Sequence, residues 1–210
     1  MAINELAWMP NTHSKGELKA NLEFSVKEML FENFYQKMAT PDLVESGSGF
    51  SIFFARGSSG DGFFLSTPDS PLPVGGLLTE NRRKEVIVDT VVLMPRWQGK
   101  GYGFKLYQAA LNRYGSLRSS TSLSTGAQKV WEVLCKKHKG KLAVPGEYFD
   151  DNKEVLVDIV GFADGEKGGR TPLVKDGDGN TRSLEDLVKA KGKTPRSSNA
   201  ARSTYYVIFK

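Results

Sequence analysis

The chain reads as a mixed α/β protein in which short strands lead into a glycine-studded turn and two amphipathic helices follow it. Three observations predict this. Val91-Val92-Leu93 is a β-branched run that stops at Met94-Pro95, glycines then recur at 99, 101 and 103, and from Gly103 the apolar positions switch to helical spacing. With 210 residues and 39% hydrophobic side chains, the chain can bury a sizeable core, most simply as one domain with an added segment.

The elements follow in order. Leu22, Val26, Met29, Leu30, Phe34 and Met38 stand near helical spacing over residues 22 to 39, and Pro41-Asp42 breaks the pattern. Phe50, Ile52, Phe53 and Phe54 mark a strand over 49 to 56, Gly57 to Gly62 its turn, and Phe63-Phe64-Leu65 the next strand. Further strands are expected over 74 to 79 and 85 to 93, separated by the polar run Glu80 to Lys84. Three or four antiparallel strands therefore precede the turn. After it, Gly103, Leu106, Tyr107, Ala110, Leu111 and Tyr114 share one helix face, and Gly115 ends the helix. Residues 117 to 123 alternate like a half-buried strand. Ser124 or Thr125 then caps a helix whose face carries Ala127, Val130, Trp131, Leu134 and Cys135. Strands over 155 to 160 and 205 to 209 close the chain.

A β-strand that breaks into alternate glycines and then a helix makes an anion site. Glycine lets backbone N–H groups approach a ligand without Cβ obstruction, and the helix adds its positive end. Spacing separates the loop types. The dinucleotide fingerprint G-x-G-x-x-G, counted from Gly99, meets Phe104 where its third glycine belongs. A P-loop requires G-x-x-x-x-G-K-[ST], whereas Lys100 lies between two glycines and no hydroxyl follows it. What remains is Gln98-x-x-Gly101-x-Gly103 behind a strand ending in Pro95, or an ordinary glycine-rich strand-to-helix connection.

The first pattern resembles the acetyl-CoA loop, Q/R-x-x-G-x-G/A, of the GNAT N-acetyltransferase superfamily. The element order over residues 86 to 140 is similar too, and over 49 to 160 it can be laid on the same plan. The resemblance implies a GNAT-like mixed, mostly antiparallel sheet of about seven strands flanked by helices. It divides the chain into a core over 1–162, a basic Gly/Ser-rich insertion over 163–203 and a closing strand over 204–210. It implies acetyl-CoA as cosubstrate and an amine as acceptor, with attack in a ternary complex. Val91, Val92 and Leu93 would face the pantetheine arm. Gln98, Gly99, Lys100, Gly101, Tyr102 and Gly103 would cradle the diphosphate, with Lys100 adding positive charge.

Acetyl transfer to an amine needs the thioester held against the nucleophile, a base for the ammonium proton and stabilisation of the oxyanion. In the family a strand carboxylate or a water chain serves as base. Glu85 and Asp89 stand on the strand leading into the loop, on one face by alternation, and Asp89 is nearer the expected splay. A solvated or salt-bridged carboxylate is the competing reading for both. The family's helical tyrosine, which protonates the leaving thiolate, aligns with Trp131, counting along Ser124 to Trp131. An indole N–H can donate to sulfur but has no usable acidity, so no general acid is assigned, and Tyr148 or water is left to substitute.

Other signals are local. Cys135 is the only cysteine, on a helix's apolar face, and reads as a small hydrophobe. His13 and His138 are too isolated to form a metal site. Asp176 to Asn180 begins like a calcium loop, but Thr181 and Leu187 occupy its glycine and glutamate positions, so a tight hairpin turn is expected. Net charge is +5. Lys136, Lys137, Lys139 and Lys141 form one basic cluster, and Lys189, Lys191, Lys193, Arg196 and Arg202 another, which offers a grip for nucleic acid or a protein assembly, or a solvated loop. No apolar run is long enough for a bilayer and no leader pattern opens the chain, so a cytoplasmic protein without membrane contact is expected. The rival functions are a catalytically silent GNAT-fold binding or structural component, and an acyltransferase acting on nucleic acid or a nucleic-acid-bound protein.

Overall fold

The computed structural model describes residues 41–57, 60–70, 72–82, 85–120, 123–144, 153–164, 170–176, 178–190 and 204–210. The helix expected over 22 to 39 lies outside them, as do His13, Tyr148, Lys191, Lys193, Arg196 and Arg202. The chain divides into two compact units. One comprises the residues up to Thr79 with Thr90–Ala109, the other Glu80–Asp89 with Ala110–Lys210.

In the first unit an antiparallel meander is built from β1 (Asp42–Gly47), β2 (Phe50–Arg56), β3 (Asp61–Ser66) and the first part of β4 (Gly75–Arg82). Aromatic and β-branched residues favour the pleated surface, and here they also fill the core. Phe54 lies opposite Phe63 in the ladder, with ring centroids 5.3 Å apart. Ile52, Phe63, Leu65 and Leu77 have no accessible surface, each worth about 1.5–3 kcal/mol of burial. The second part of β5 (Glu85–Leu93) also belongs to this unit, and Gly75 explains its approach: a Cβ there would meet Leu93 Cδ2 at 2.3 Å and the Val92 carbonyl at 2.9 Å. The Met94 N–H then donates to Val74 O at 2.9 Å, fixing where β5 ends.

The second unit holds the strand order β5-β6-β11-β7-β8-β9-β10. Its strands are the first part of β5, β6 (Ser116–Ser119), β7 (Lys141–Val144), β8 (Val155–Asp164), β9 (Arg170–Lys175), β10 (Thr181–Ser183) and β11 (Tyr205–Phe209). Among the described residues of this unit β5 and β6 pair in parallel, and β6–β11, β11–β7, β7–β8, β8–β9 and β9–β10 are antiparallel.

Among the described residues three α-helices accompany these strands. α1 (Tyr102–Tyr114) runs through both units and ends at Gly115, whose φ of 78° suits glycine and whose N–H reaches Leu111 O at 2.9 Å. α2 (Thr125–His138) starts at Ser124, whose Oγ accepts from Ala127 N at 3.2 Å, and buries Trp131, Leu134 and Cys135 as it packs on β11 and β8. α3 (Leu184–Ala190) follows β10 directly, with Ser183 Oγ accepting from Asp186 N at 3.1 Å.

The described residues thus hold eleven strands rather than about seven. β1 has an exposed, non-alternating pattern that hid it beside Pro41. β7 is four residues long and begins inside the lysine cluster. β9 and β10 fall in the stretch read as an insertion. That stretch is not a solvated loop over its described part: Val174 and Leu187 are buried in one cluster with Leu142 and Val144. The strand expected over 117 to 123 ends at Ser119, and that expected over 155 to 160 runs on to Asp164. Among the described residues no helix is long and apolar enough to cross a membrane.

Candidate active site

The loop lies wholly within the first unit. β5 ends at Leu93, and Pro95–Trp97 forms a single 3-10 turn with proline at its start, where a missing N–H costs nothing. Trp97 N–H donates to Met94 O at 2.8 Å and Gln98 N–H to Pro95 O at 3.2 Å. The Gln98 side chain reaches back, its Nε2 donating to Leu93 O at 3.0 Å, so this residue clasps the loop to the strand end. Gly99 and Gly101 then adopt φ of 74° and 79°, the left-handed region in which a side chain is strained. Among the described residues nothing lies within 4 Å of a Cβ placed at either position, so none of them obstructs the two glycines. α1 begins at Tyr102, and Lys105 N–H bonds Gly101 O at 3.2 Å. The amides before Lys105 belong to a first helical turn, which has no intrahelical acceptor for them. Among the described residues the N–H groups of Gly99, Gly101, Tyr102 and Gly103 have no acceptor in the protein, while the turn at Gln98-Gly99 engages that of Lys100. Unblocked glycines, free amides and a helix N-terminus fit a diphosphate.

The Lys100 side chain folds back: its Nζ lies 4.8 Å from the Trp97 ring centroid, and Arg96 Cζ lies 4.8 Å from the same ring. Trp97, which the sequence reading passed over, is 5% exposed and thus a buried plate beneath two cations. Gly103 sits in the first turn of α1, where a Cβ would make ordinary contact with Leu93 Cδ1 at 3.6 Å. Val91, Val92 and Leu93 are half-buried on β5. The parallel ladder is recorded at Ile87↔Arg118 and Val88↔Ser119, and β6 stops at Ser119 while β5 continues to Leu93.

Glu85 and Asp89 differ in surroundings. Arg118, 11% exposed at its side chain, donates from Nη1 to Glu85 Oε1 at 2.8 Å and to Glu154 Oε1 at 3.1 Å, and from Nη2 to Glu154 Oε2. Its guanidinium also lies 3.9 Å from the Tyr205 ring centroid. Burial works against the charge, but the bonds to Glu154 and the charges of Glu154 and Glu85 prevail and hold the guanidinium above its ordinary value. Glu85 is therefore an ion-pair partner. Asp89 is exposed; Arg82 is held above its ordinary value chiefly by the bond its Nε donates to Glu80 Oε1 at 2.7 Å, and least by the charge of Asp89. A charged residue inside the alternating strand Leu117-Arg118-Ser119 was the available signal for this cluster; its partners lie too far along the chain to be read from it.

Trp131 is fully buried in the second unit and stacks on Tyr206, centroids 6.1 Å apart and 17° between planes. In this conformation the indole offers no surface to a ligand. Tyr206 is pushed up to about 12 by burial, then by Cys135 and Glu132, and so retains its proton through the neutral range. Burial likewise pushes the Cys135 thiol up to about 12, which removes it as a nucleophile. Among the described residues no group of three or more His, Cys, Asp and Glu could hold a metal. Asp176 spends its carboxylate on the β9–β10 turn, accepting from Asp178 N, Asn180 N and Asn180 Nδ2 and pairing with Arg182 at 2.9 Å. A cavity of about 450 Å³ in the second unit, lined by residues including Cys135, Lys136, Lys139 and Phe162, contains none of the predicted site residues.

No family model matches the chain, and no curated protein does. Among solved structures it is similar to the ribosomal-protein-S18-alanine N-acetyltransferase from Escherichia coli, with 16% identity over 38% of this chain and 54% of that one and a TM-score of 0.33. It is also similar to an IAA acetyltransferase from Bacillus cereus, with 19% identity over 46% and 67% and a TM-score of 0.32. A third is nourseothricin acetyltransferase, with 13% identity over 57% and 82% and a TM-score of 0.30. The match spans about half the length of the first. All three are acetyltransferases.

Proposed function

We propose that this chain is an acyltransferase of GNAT type that moves an acetyl group from acetyl-CoA to an amine acceptor by direct attack in a ternary complex. The observation that carries the reading is the pair of left-handed glycines, 99 and 101, which no described residue obstructs, set between the end of β5 and the first turn of α1. Backbone N–H groups of Gly99 and of Gly101 to Gly103 would hold the diphosphate, the Gln98 N–H being given to Pro95 O, and Val91 to Leu93 would lie along the pantetheine. Bound there, acetyl-CoA supplies the activated acyl group.

The residues of this chain then hold, orient and deprotonate. Gln98 keeps the loop clasped to Leu93 O, and Lys100 contributes positive charge from its perch on Trp97. Asp89, two residues before Val91 on β5, is the base that takes the ammonium proton, and Glu85 serves as an ion-pair partner of Arg118. Trp131 serves packing, and the leaving thiol, with a pKa near about 8.5, needs no protein acid. A second reading, coenzyme binding without turnover, is favoured by the buried Trp131 and the paired Glu85.

The test is thiol release from acetyl-CoA in the presence of pooled small amines, peptide N-termini, tRNA and DNA. Acceptor-dependent release that falls in Asp89→Asn supports transfer. Tight coenzyme binding with no release from any acceptor would replace it with the binding reading.

A further inference from the structure

We propose that Trp97 is a positioning residue for the anion loop, holding Lys100 and Arg96 on its ring so that their charge is fixed beside the Gln98 to Gly103 backbone. The inference rests on reading that loop as a diphosphate site. Arg96 Cζ and Lys100 Nζ each lie 4.8 Å from the Trp97 centroid. The ring is itself fixed, being 5% exposed and edge-packed on Tyr102, centroids 5.9 Å apart at 62°. Tyr102 packs edge-on against Phe50 at 6.2 Å, and Lys105 Nζ lies 4.2 Å from the Phe50 centroid. Three cations are thus interleaved with three rings along one stretch of the first unit.

This arrangement has an electrostatic consequence. No acidic side chain occurs in the sequence between Asp89 and Glu132, and among the described residues none of the three cations makes an ion pair. Among the described residues their partners are ring faces, whose quadrupoles attract a cation without neutralising it. A lysine in water would lose side-chain freedom on meeting a ligand. Held on a buried ring, it has lost that freedom on folding, so the anion meets a charge already in place. The ligand class is an organic diphosphate, and the ring acts through the cations it carries.

Calorimetry with CoA and with inorganic pyrophosphate tests this in two backgrounds, wild type and Arg96→Gln/Lys100→Gln. Trp97→Leu should weaken CoA binding about 3- to 10-fold in the wild type but less than about twofold in the neutralised background, where the ring has no cation to hold. Trp97→Phe keeps a smaller ring and should fall between; it carries the same comparison if Trp97→Leu does not fold. An equal loss in both backgrounds, or no loss in the wild type, overturns the inference while leaving the diphosphate reading standing. Failure of the wild type to bind either probe removes both.

Discussion

Replacing Arg118 with leucine separates the structural carboxylate from the chemical one. Arg118 is 11% exposed, whereas Glu85 and Glu154 are 52% and 37% exposed at their side chains. An exposed pair contributes about 0–1 kcal/mol, and breaking a buried one costs about 3–5 kcal/mol. In Arg118→Leu both carboxylates can rehydrate but are left close together, so the loss should fall between those limits, about 2–4 kcal/mol. For a chain of this size that is a fall in Tm of about 4–16 °C. Urea denaturation of Arg118→Leu, Glu85→Gln and the double variant measures the pair directly. The two substitutions should be non-additive by at least about 0.5 kcal/mol, and Glu85→Gln should lower stability while leaving kcat within about twofold. Full additivity, or a loss in Arg118→Leu below about 0.5 kcal/mol, would refute the view that this fork ties β5, β6, β11 and the entry to β8 together. A large fall in kcat in a stable Glu85→Gln would return that carboxylate to the chemistry.

Asp89→Asn should lower kcat about 10²- to 10⁴-fold with a Tm within about 2 °C of wild type, read by thiol release and thermal unfolding. Cys135 should resist alkylation by iodoacetamide at pH 8 until the chain unfolds, since burial pushes its thiol up to about 12; rapid native-state labelling by mass spectrometry would contradict this. His138 is held below the ordinary imidazole value, first by burial and then by Lys137. The unfolded chain therefore takes up its proton first, and His138 makes stability fall as pH drops below about 6.5. His138→Gln should reduce the difference between urea midpoints at pH 5 and pH 7.5; an unchanged difference would show that the imidazole contributes nothing to it.

What could be read along the chain was whatever neighbouring residues determine. Glycines 99 and 101 located the loop because left-handed backbone there demands that residue type, while Gly103 stands in the first turn of α1. Phe50 to Phe54 gave β2 by its β-forming composition, and Gly103 to Tyr114 gave α1 by its periodicity. β7, β9 and β10 escaped because each is short and their burial comes from tertiary packing on Leu142, Val174 and Leu187, within a stretch of polar and basic composition. At the candidate site, Gln98 was legible as a motif position, but its hydrogen bond to Leu93 O was not. Arg118 meets Glu85 and Glu154 across 33 and 36 residues, a separation no local pattern reports. Trp131 was visible as a departure from the family pattern, yet its complete burial against Tyr206 depends on β11, far along the chain.

Titration of acetyl-CoA into the wild type and Gly101→Asp tests the diphosphate loop most directly. Aspartate tolerates left-handed backbone better than most residues, and no described residue lies within 4 Å of a Cβ at Gly101, so the variant should fold at a cost in local strain while placing a carboxylate beside the expected diphosphate position. A micromolar Kd for the wild type, weakened at least about 100-fold in a folded Gly101→Asp, is the predicted result. No binding heat with the wild type, or equal affinity in the two proteins, would contradict it.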